Sequence, residues 1–254
     1  MKDRRKIKLN PIGSDTPLYR EVRRHILQCL AEGEWKPGER LPTESALAER
    51  FGVAISTVRA GVGELTAAGV LIRHQGKGTF VARHDLHTQH FRYSNIFNSR
   101  REKISTTREI VSMRKVRADR ETAELLQLDP KIAPLVHRVA CISRSAKAAV
   151  GVMELILPVA LFPKLQQRDL KPTGENLYSV YQRVCGVTVL RMEERVSART
   201  TDAQTAKTLK LRAGHPLLQV ERVAYTFNNV PVEIRRRTYE GLQHHYLFTH
   251  DELD

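Results

Sequence analysis

Ser56, Thr57 and Arg59 carry the first chemistry visible in this sequence. Two hydroxyls and a guanidinium within four positions suit the phosphates and base edges of a nucleic acid. A second polar group follows at Arg73 and His74-Gln75-Gly76-Lys77-Gly78, a basic tip able to meet a neighbouring phosphate backbone. His84, His87 and His90 are spaced by three. That spacing alone is a weak metal signal, so the stretch reads as a solvated linker and no metal is expected. Cys29, Cys141 and Cys185 are widely spaced, form no CxxC pattern and read as reduced, buried thiols. There is no Gly-rich phosphate loop and no nucleophile–base pair in local context, so the residues do not argue for an enzyme.

The elements that must hold these groups are legible as well. A helix is expected from about Pro17 to Glu32, with Leu18, Val22, Ile26, Leu27 and Leu30 as its apolar stripe. Trp35 sits in the turn that follows and is expected in a small core. Thr43 stands as an N-cap before the run that contains Ala46, Leu47 and Phe51, and Gly52 ends it. The next helical run buries Val58, Val62 and Leu65 and leaves Ser56, Thr57 and Arg59 on another side. Gly61 and Gly63 lie inside it, each costing about 1 kcal/mol relative to Ala. After Gly69 come two β-type runs, Val70–Ile72 and Thr79–Val81, joined by the basic tip. Helix, Gly turn, helix and hairpin is the pattern of a winged helix-turn-helix, whose second helix lies in a DNA groove.

From Thr106 the grammar changes to strands alternating with helices. Strands are expected at Glu109–Arg117, Leu135–Arg144, Gly151–Leu157, Val187–Arg199, Leu217–Thr226 and Val232–Tyr239. Helices are expected at Arg120–Leu126, Asn176–Val184 and Ala203–Leu209, with Asp119 and Asp202 as N-caps. Ser145–Ala149 and Asn228-Asn229 are expected to turn hairpins. The segment from Asp119 to Leu128 is echoed from Asp202 to Leu211, 83 residues later, each between two strands. This reads as an internal strand–helix–strand duplication with pseudo-two-fold symmetry. The expected class is α+β: a winged helix-turn-helix in residues 1–82, a linker in 83–105 and a mostly antiparallel sheet with helices in 106–254. Residues 1–15 read as a flexible basic arm, and a short helix is expected near Asn95–Arg101 within the linker.

At 254 residues the chain can hold two ordinary cores. The net charge is +14, and residues 1–117 supply 23 Lys/Arg against 12 Asp/Glu, a surplus of 11. That concentration points to an anionic partner on the N-terminal side. No apolar run reaches the ~18 residues of a membrane span, and no apolar stretch follows the basic start. The chain reads as cytoplasmic, with no membrane partner.

Residues 17–81 closely resemble the DNA-binding domain of GntR-family bacterial transcription regulators. The resemblance rests on PLYREV, GEWKPGERLP, E-x-x-L-A-x-x-F-G-V, T-V-R, L-x-x-x-G-V-L and QGKGTFV. From about residue 106 the chain is similar to the UTRA effector domain of the HutC subfamily, which has a chorismate-lyase-like fold. That match rests on the duplication, Met153-Glu154 with Leu157-Pro158, Phe162-Pro163, Asn176-Leu177-Tyr178 and Val230-Pro231-Val232-Glu233.

The resemblance implies a homodimeric regulator, a repressor more often than an activator, that binds an inverted-repeat operator in double-stranded DNA. A small-molecule effector would set that binding, and no cofactor is implied. It places DNA contacts at Ser56, Thr57, Arg59, Gln75, Gly76 and Lys77, and contacts at Ser45 and Arg73 are expected beside them. Ser45 and Ile55 stand where the family usually carries arginines, and Ala54 replaces the usual Ser/Thr cap. Effector contacts are implied at Arg144, Glu154, Asn176, Tyr178, Glu233 and Tyr239. Relatives that bind phosphosugars tend to have an arginine where Ile142 stands and a serine where Asn176 stands, which weighs against a phosphosugar effector. At Glu154 and Glu233 a structural salt bridge, with Arg144 or Arg235, competes with ligand binding. Arg235-Arg236-Arg237 must alternate faces on a strand, so only one or two can face a pocket.

Overall fold

The structure is a computed structural model that describes residues 17–82, 95–146 and 148–248. The chain divides into two compact units, Met1–Arg83 and His84–Asp254. The basic arm of residues 1–15 and His84, His87 and His90 lie outside the described residues.

The first unit packs α1 (Leu18–Ala31), α2 (Glu44–Phe51) and α3 (Ile55–Ala67) beside a hairpin of β1 (Leu71–His74) and β2 (Gly78–Val81). Val22, Ile26, Phe51, Val58, Val62, Leu65 and Trp35 are buried in its core. The Thr43 hydroxyl accepts the Ala46 N–H at 3.2 Å and starts α2. Gly52 ends α2 at φ 66°, a left-handed turn that costs glycine least. Gly61 has a packing reason to be in a helix: a Cβ there would lie 2.8 Å from the Tyr19 carbonyl oxygen on α1.

The second unit is built on one antiparallel sheet of six strands, in the order β4-β5-β6-β9-β8-β7. The strands are β4 (Thr107–Arg117), β5 (Leu135–Ser145), β6 (Ala148–Pro158), β7 (Arg191–Thr200), β8 (Pro216–Tyr225) and β9 (Pro231–Glu240). The order reads the same from both edges, which is the duplication in three dimensions. Helix α4 (Arg120–Leu125) joins β4 to β5, and α6 (Ala203–Leu209) joins β7 to β8.

The two copies agree in detail. Asp119 caps Thr122 and Asp202 caps Thr205, each at 2.8 Å, worth about 1 kcal/mol per cap. Gln127 and Lys210 both follow their helices with positive φ, at 51° and 56°. Leu128 and Leu211 then bond back to the carbonyls of Ala123 and Ala206. Helix α4 packs over β9 and α6 over β6, so each copy's helix covers the other copy's strand. The β8–β9 turn has Asn228 and Asn229 at φ 57° and 56°.

The other face of the sheet carries α5 (Leu177–Cys185), with Phe162, Tyr178 and Tyr181 packed on Leu155, Leu157 and Val232. Two expectations are corrected here. Residues 95–101 do not form a helix: Ile96–Asn98 is a strand, β3, paired with β10 (His244–Tyr246). Ile96 is drawn in because it buries against Val220 and Tyr239. The strand expected from Val187 begins only at Arg191, because Val187 and Val189 turn inward to the α5 core.

Candidate DNA-binding face and ligand cavity

Helix α3 buries Val58, Val62 and Leu65 and leaves the next residues around its axis to solvent. Ser56 and Arg59 are exposed and Thr57 is half-buried. Ala54 has the extended backbone of an N-cap but no side chain to accept an N–H. Ser45 is exposed on α2, and Arg73, Gln75, Gly76 and Lys77 are exposed on the hairpin. Gly76 sits at the tip with φ 70°. Arg59 Nε and Arg73 Nη2 both donate to the carboxylate of Glu44, at 2.9 and 2.7 Å. Glu44 opens α2, so one carboxylate on α2 meets both α3 and the hairpin. Seven of the eight expected contact positions are thus exposed, and Thr57 is half-buried.

In the second unit a cavity of about 370 Å³ opens on the α5 face of the sheet. Asn176, Tyr178 and Tyr239 line it, as do Arg108, Arg222, Arg235 and Arg237. Glu233 lies beneath, fully buried. It accepts from Tyr181 Oη at 2.6 Å, Arg235 Nη2 at 2.8 Å and Tyr178 Oη at 3.4 Å. Burial pushes its carboxyl up, but Arg235 and Tyr181 outweigh that and hold it below the ordinary value. Burial lifts the Tyr181 hydroxyl well above its own. Asn176 Oδ1 caps α5 by accepting the Ser179 N–H at 2.9 Å, which fixes the cavity rim.

Two expected effector contacts are elsewhere. Glu154 projects from the opposite face of β6 into an ion network with Arg138 at 3.4 Å and Arg236 at 3.8 Å. The strand period of two decides this, since Met153 and Leu155 occupy the α5 face. Arg144, beside a register shift near the hairpin end, pairs with Glu109 and is not among the cavity's lining residues. Neither Arg144 nor Glu154 joins the cavity. Glu233 does make a salt bridge with Arg235, one of the two partners considered for it.

Sequence reasoning missed Arg108 and Arg222. A signal for Arg222 was present: it is a charge between Val220 and Val223-Ala224 in a strand that reads as buried. Arg235 and Arg237 both face the cavity, while Arg236 faces the other way to Glu221 at 2.8 Å. Among the described residues, no helix is long and apolar enough to cross a membrane. Burial lifts the Cys29 and Cys141 thiols to about 11, as inert interior thiols.

Comparison with known proteins agrees with both halves of this geometry. The model for bacterial regulatory proteins of the gntR family matches residues 18–81, and the UTRA domain model matches residues 101–245. The chain is 27% identical over 231 residues to the histidine utilization repressor of Pseudomonas putida, covering 90% of each. It is 26% identical over 224 residues to the mannosyl-D-glycerate transport/metabolism system repressor of Escherichia coli K12, covering 88% of this chain and 91% of that one. The crystal structure of the ligand-binding domain of a GntR-family regulator from Bordetella bronchiseptica superposes with a TM-score of 0.58 at 25% identity, over 63% of this chain and 99% of that one. YydK from Bacillus subtilis shares the fold at a TM-score of 0.53 and 17% identity, over 93% of this chain and all of its own. An N-terminal winged helix-turn-helix and a duplicated antiparallel domain, each matched by its own family model, make this chain a member of the GntR family of bacterial regulatory proteins with a C-terminal UTRA domain.

Proposed function

We propose that this regulator acts as a homodimeric repressor, bound to an inverted-repeat operator and controlled by a small molecule in the cavity on the α5 face. Residues 1–82 bind DNA in this reading, and residues from about 95 onward bind the effector and the second subunit. The observation that carries it is α3, which presents Ser56, Thr57 and Arg59 beside a basic hairpin tip. A dimer reads two half-sites a helical turn apart or a multiple of it, so a shift between its two reading heads breaks the match. An effector causes that shift only if it binds the two arrangements unequally. The exposed edge strands β4 and β7 leave backbone groups open to pairing with a second copy. The chain is a transcription regulator and not an enzyme.

The test is fluorescence anisotropy with the promoter DNA beside the chain's own gene, alongside light scattering for mass. The expected result is a dimer whose affinity falls steeply with salt and exceeds that for unrelated DNA of equal length. A monomer, or salt-sensitive binding blind to sequence, refutes the proposal.

A further inference from the structure

We propose that Tyr246 is a positioning residue that makes the β3–β10 ribbon follow the cavity, through a hydrogen-bonded line from Arg222 and Arg237 by way of Glu194 to Asn95. This rests on the reading of that cavity as the effector site, and goes beyond it by naming the side chain through which an occupant is felt at the start of the effector domain.

The line is built from one carboxylate and one phenol. Glu194, on β7, stands directly opposite Arg222 on β8. Its Oε1 accepts from Arg222 at 2.7 Å and from Arg237, on β9, at 2.6 Å. Both arginines line the cavity. Its Oε2 accepts from the hydroxyl of Tyr246, on β10. That hydroxyl in turn accepts from the Asn95 side-chain amide at 3.3 Å, and the Leu247 N–H donates to the Asn95 carbonyl at 2.9 Å. Asn95 is where the described part of the second unit begins, one residue before β3. Donors from three strands, β8, β9 and β10, therefore meet on a single carboxylate.

The two ends of this line cannot move independently. A carboxylate is planar and rigid, so a turn of Glu194 that follows Arg222 or Arg237 through Oε1 carries Oε2 with it. Tyr246 then shifts too or gives up the bond. Arg222 and Arg237 are nearly buried, where a lost partner is costly and neighbouring bonds strengthen one another. Burial pushes the Glu194 carboxyl up, but Arg222, Tyr246 and Arg237 outweigh that and hold it below the ordinary value, so both oxygens stay acceptors. Burial and the bond to Glu194 lift the Tyr246 hydroxyl, so it stays a donor. A packing contact runs beside the polar one: Tyr239 lines the cavity and also packs on Ile96 of β3. A Cβ on Gly151 would lie 2.7 Å from the Tyr239 ring, so the ring is held close against the sheet. The ribbon is a two-stranded sheet of its own and shares no ladder with the six strands. Side chains such as these hold it in place.

The test is hydrogen–deuterium exchange of the full chain, read by mass spectrometry in peptides covering residues 95–98 and 244–247, with β5 as the internal reference. Tyr246→Phe keeps the ring and removes both side-chain hydrogen bonds. It should speed exchange in those peptides about tenfold, as expected for losing a hydrogen bond to a charged group, and leave β5 unchanged. Arg237→Gln removes a donor at the cavity end, while Glu194 keeps Arg222, and should speed exchange in the same peptides. The double variant should exceed the faster single one by less than about twofold, because both act on one line. Arg108→Gln alters a cavity arginine that donates to the Leu170 carbonyl and not to Glu194, and should leave the ribbon at the parent rate. The proposal fails if Tyr246→Phe or Arg237→Gln leaves the ribbon unchanged, or if their effects multiply in the double variant. It fails equally if Arg108→Gln speeds the ribbon as much, or if β5 loosens along with it. Exchange needs neither DNA nor an effector, so its outcome is separate from the effector reading. Operator affinity of the same variants is read by anisotropy. A ribbon that follows the cavity while Tyr246→Phe binds operator like the parent upholds the link and counts against the effector reading. Altered operator affinity with a ribbon independent of the cavity overturns the link and leaves that reading standing.

Discussion

Arg59 and Arg73 reach the same carboxylate, and that pairing shapes what each can do. The side chain of Arg59 is 65% exposed, so its bond to Glu44 is a surface pair of small net worth. Its consequence is orientation: the guanidinium is held at the open side of α3 before DNA arrives. With Ser45 and Ile55 in place of arginines, Arg59 has fewer helpers on this surface. Arg59→Ala is expected to remove about 1–3 kcal/mol of discrimination between operator and unrelated DNA, while salt-dependent background binding persists. Anisotropy with both DNAs checks this; a variant that still discriminates like the parent means α3 does not read the groove. Glu154 makes the contrasting case. It faces Arg138 and Arg236 on the far side of the sheet from the cavity. Glu154→Gln should therefore leave affinity for a cavity ligand within about twofold in calorimetry, since the charge it removes answers other arginines.

At the scale of elements, α3 carries two glycines with opposite reasons. A Cβ on Gly61 would meet the Tyr19 carbonyl oxygen at 2.8 Å and a Val22 methyl at 3.1 Å, so α1 can approach α3 closely only with glycine there. Gly63 faces open space. Gly61→Ala should lower the melting temperature by forcing the helices apart. Gly63→Ala should raise it, because alanine is the better helix former by about 1 kcal/mol. Ala54→Ser should also stabilise, by about 1 kcal/mol, since the backbone at 54 already has N-cap geometry and lacks only the oxygen. Thermal melts of the three variants decide this together; stabilisation by Gly61→Ala would show that the α1–α3 approach is looser than its geometry.

At the scale of the whole molecule, several titratable groups with shifted protonation set how the chain meets acid. Burial, with Arg24 adding to it at His25, holds His25 and His137 below the ordinary histidine value of 6.5. A histidine kept neutral when folded but free to protonate when unfolded supports the fold above that value. The support is lost as pH falls from the unfolded value toward the depressed one. The carboxyls of Asp119, Asp202, Glu194, Glu233 and Glu240 are also held low, and their support goes at more acid pH still. Stability should thus fall in two stages, first below 6.5 and then below the ordinary carboxyl values of 4.5 and 3.8. Urea midpoints at ~pH 7.5 and ~pH 5.5 test the first stage. The midpoint should be lower at the second pH, with a smaller drop in His137→Gln; equal midpoints would mean these rings protonate as freely folded as unfolded.

The sequence by itself determined the winged helix-turn-helix, the polar side of α3 and the duplicated strand–helix–strand. These are written in contacts between near neighbours: caps at Thr43, Asp119 and Asp202, glycine turns at 52 and 69, and apolar stripes at helical spacing. Tertiary structure alone decided the cavity. Arg108, Arg222 and Arg237 come from β4, β8 and β9, and β4 lies three strands from β9 in the sheet, so no local pattern announces their meeting. The same is true of Ile96, whose strand forms only because residues nearly 150 positions later pair with it. Glu154 and Met153 are adjacent in sequence, yet one faces an ion network and the other the cavity. Which of the two does so depends on strand phase, and strand phase is set by the sheet's register and by which face α5 covers.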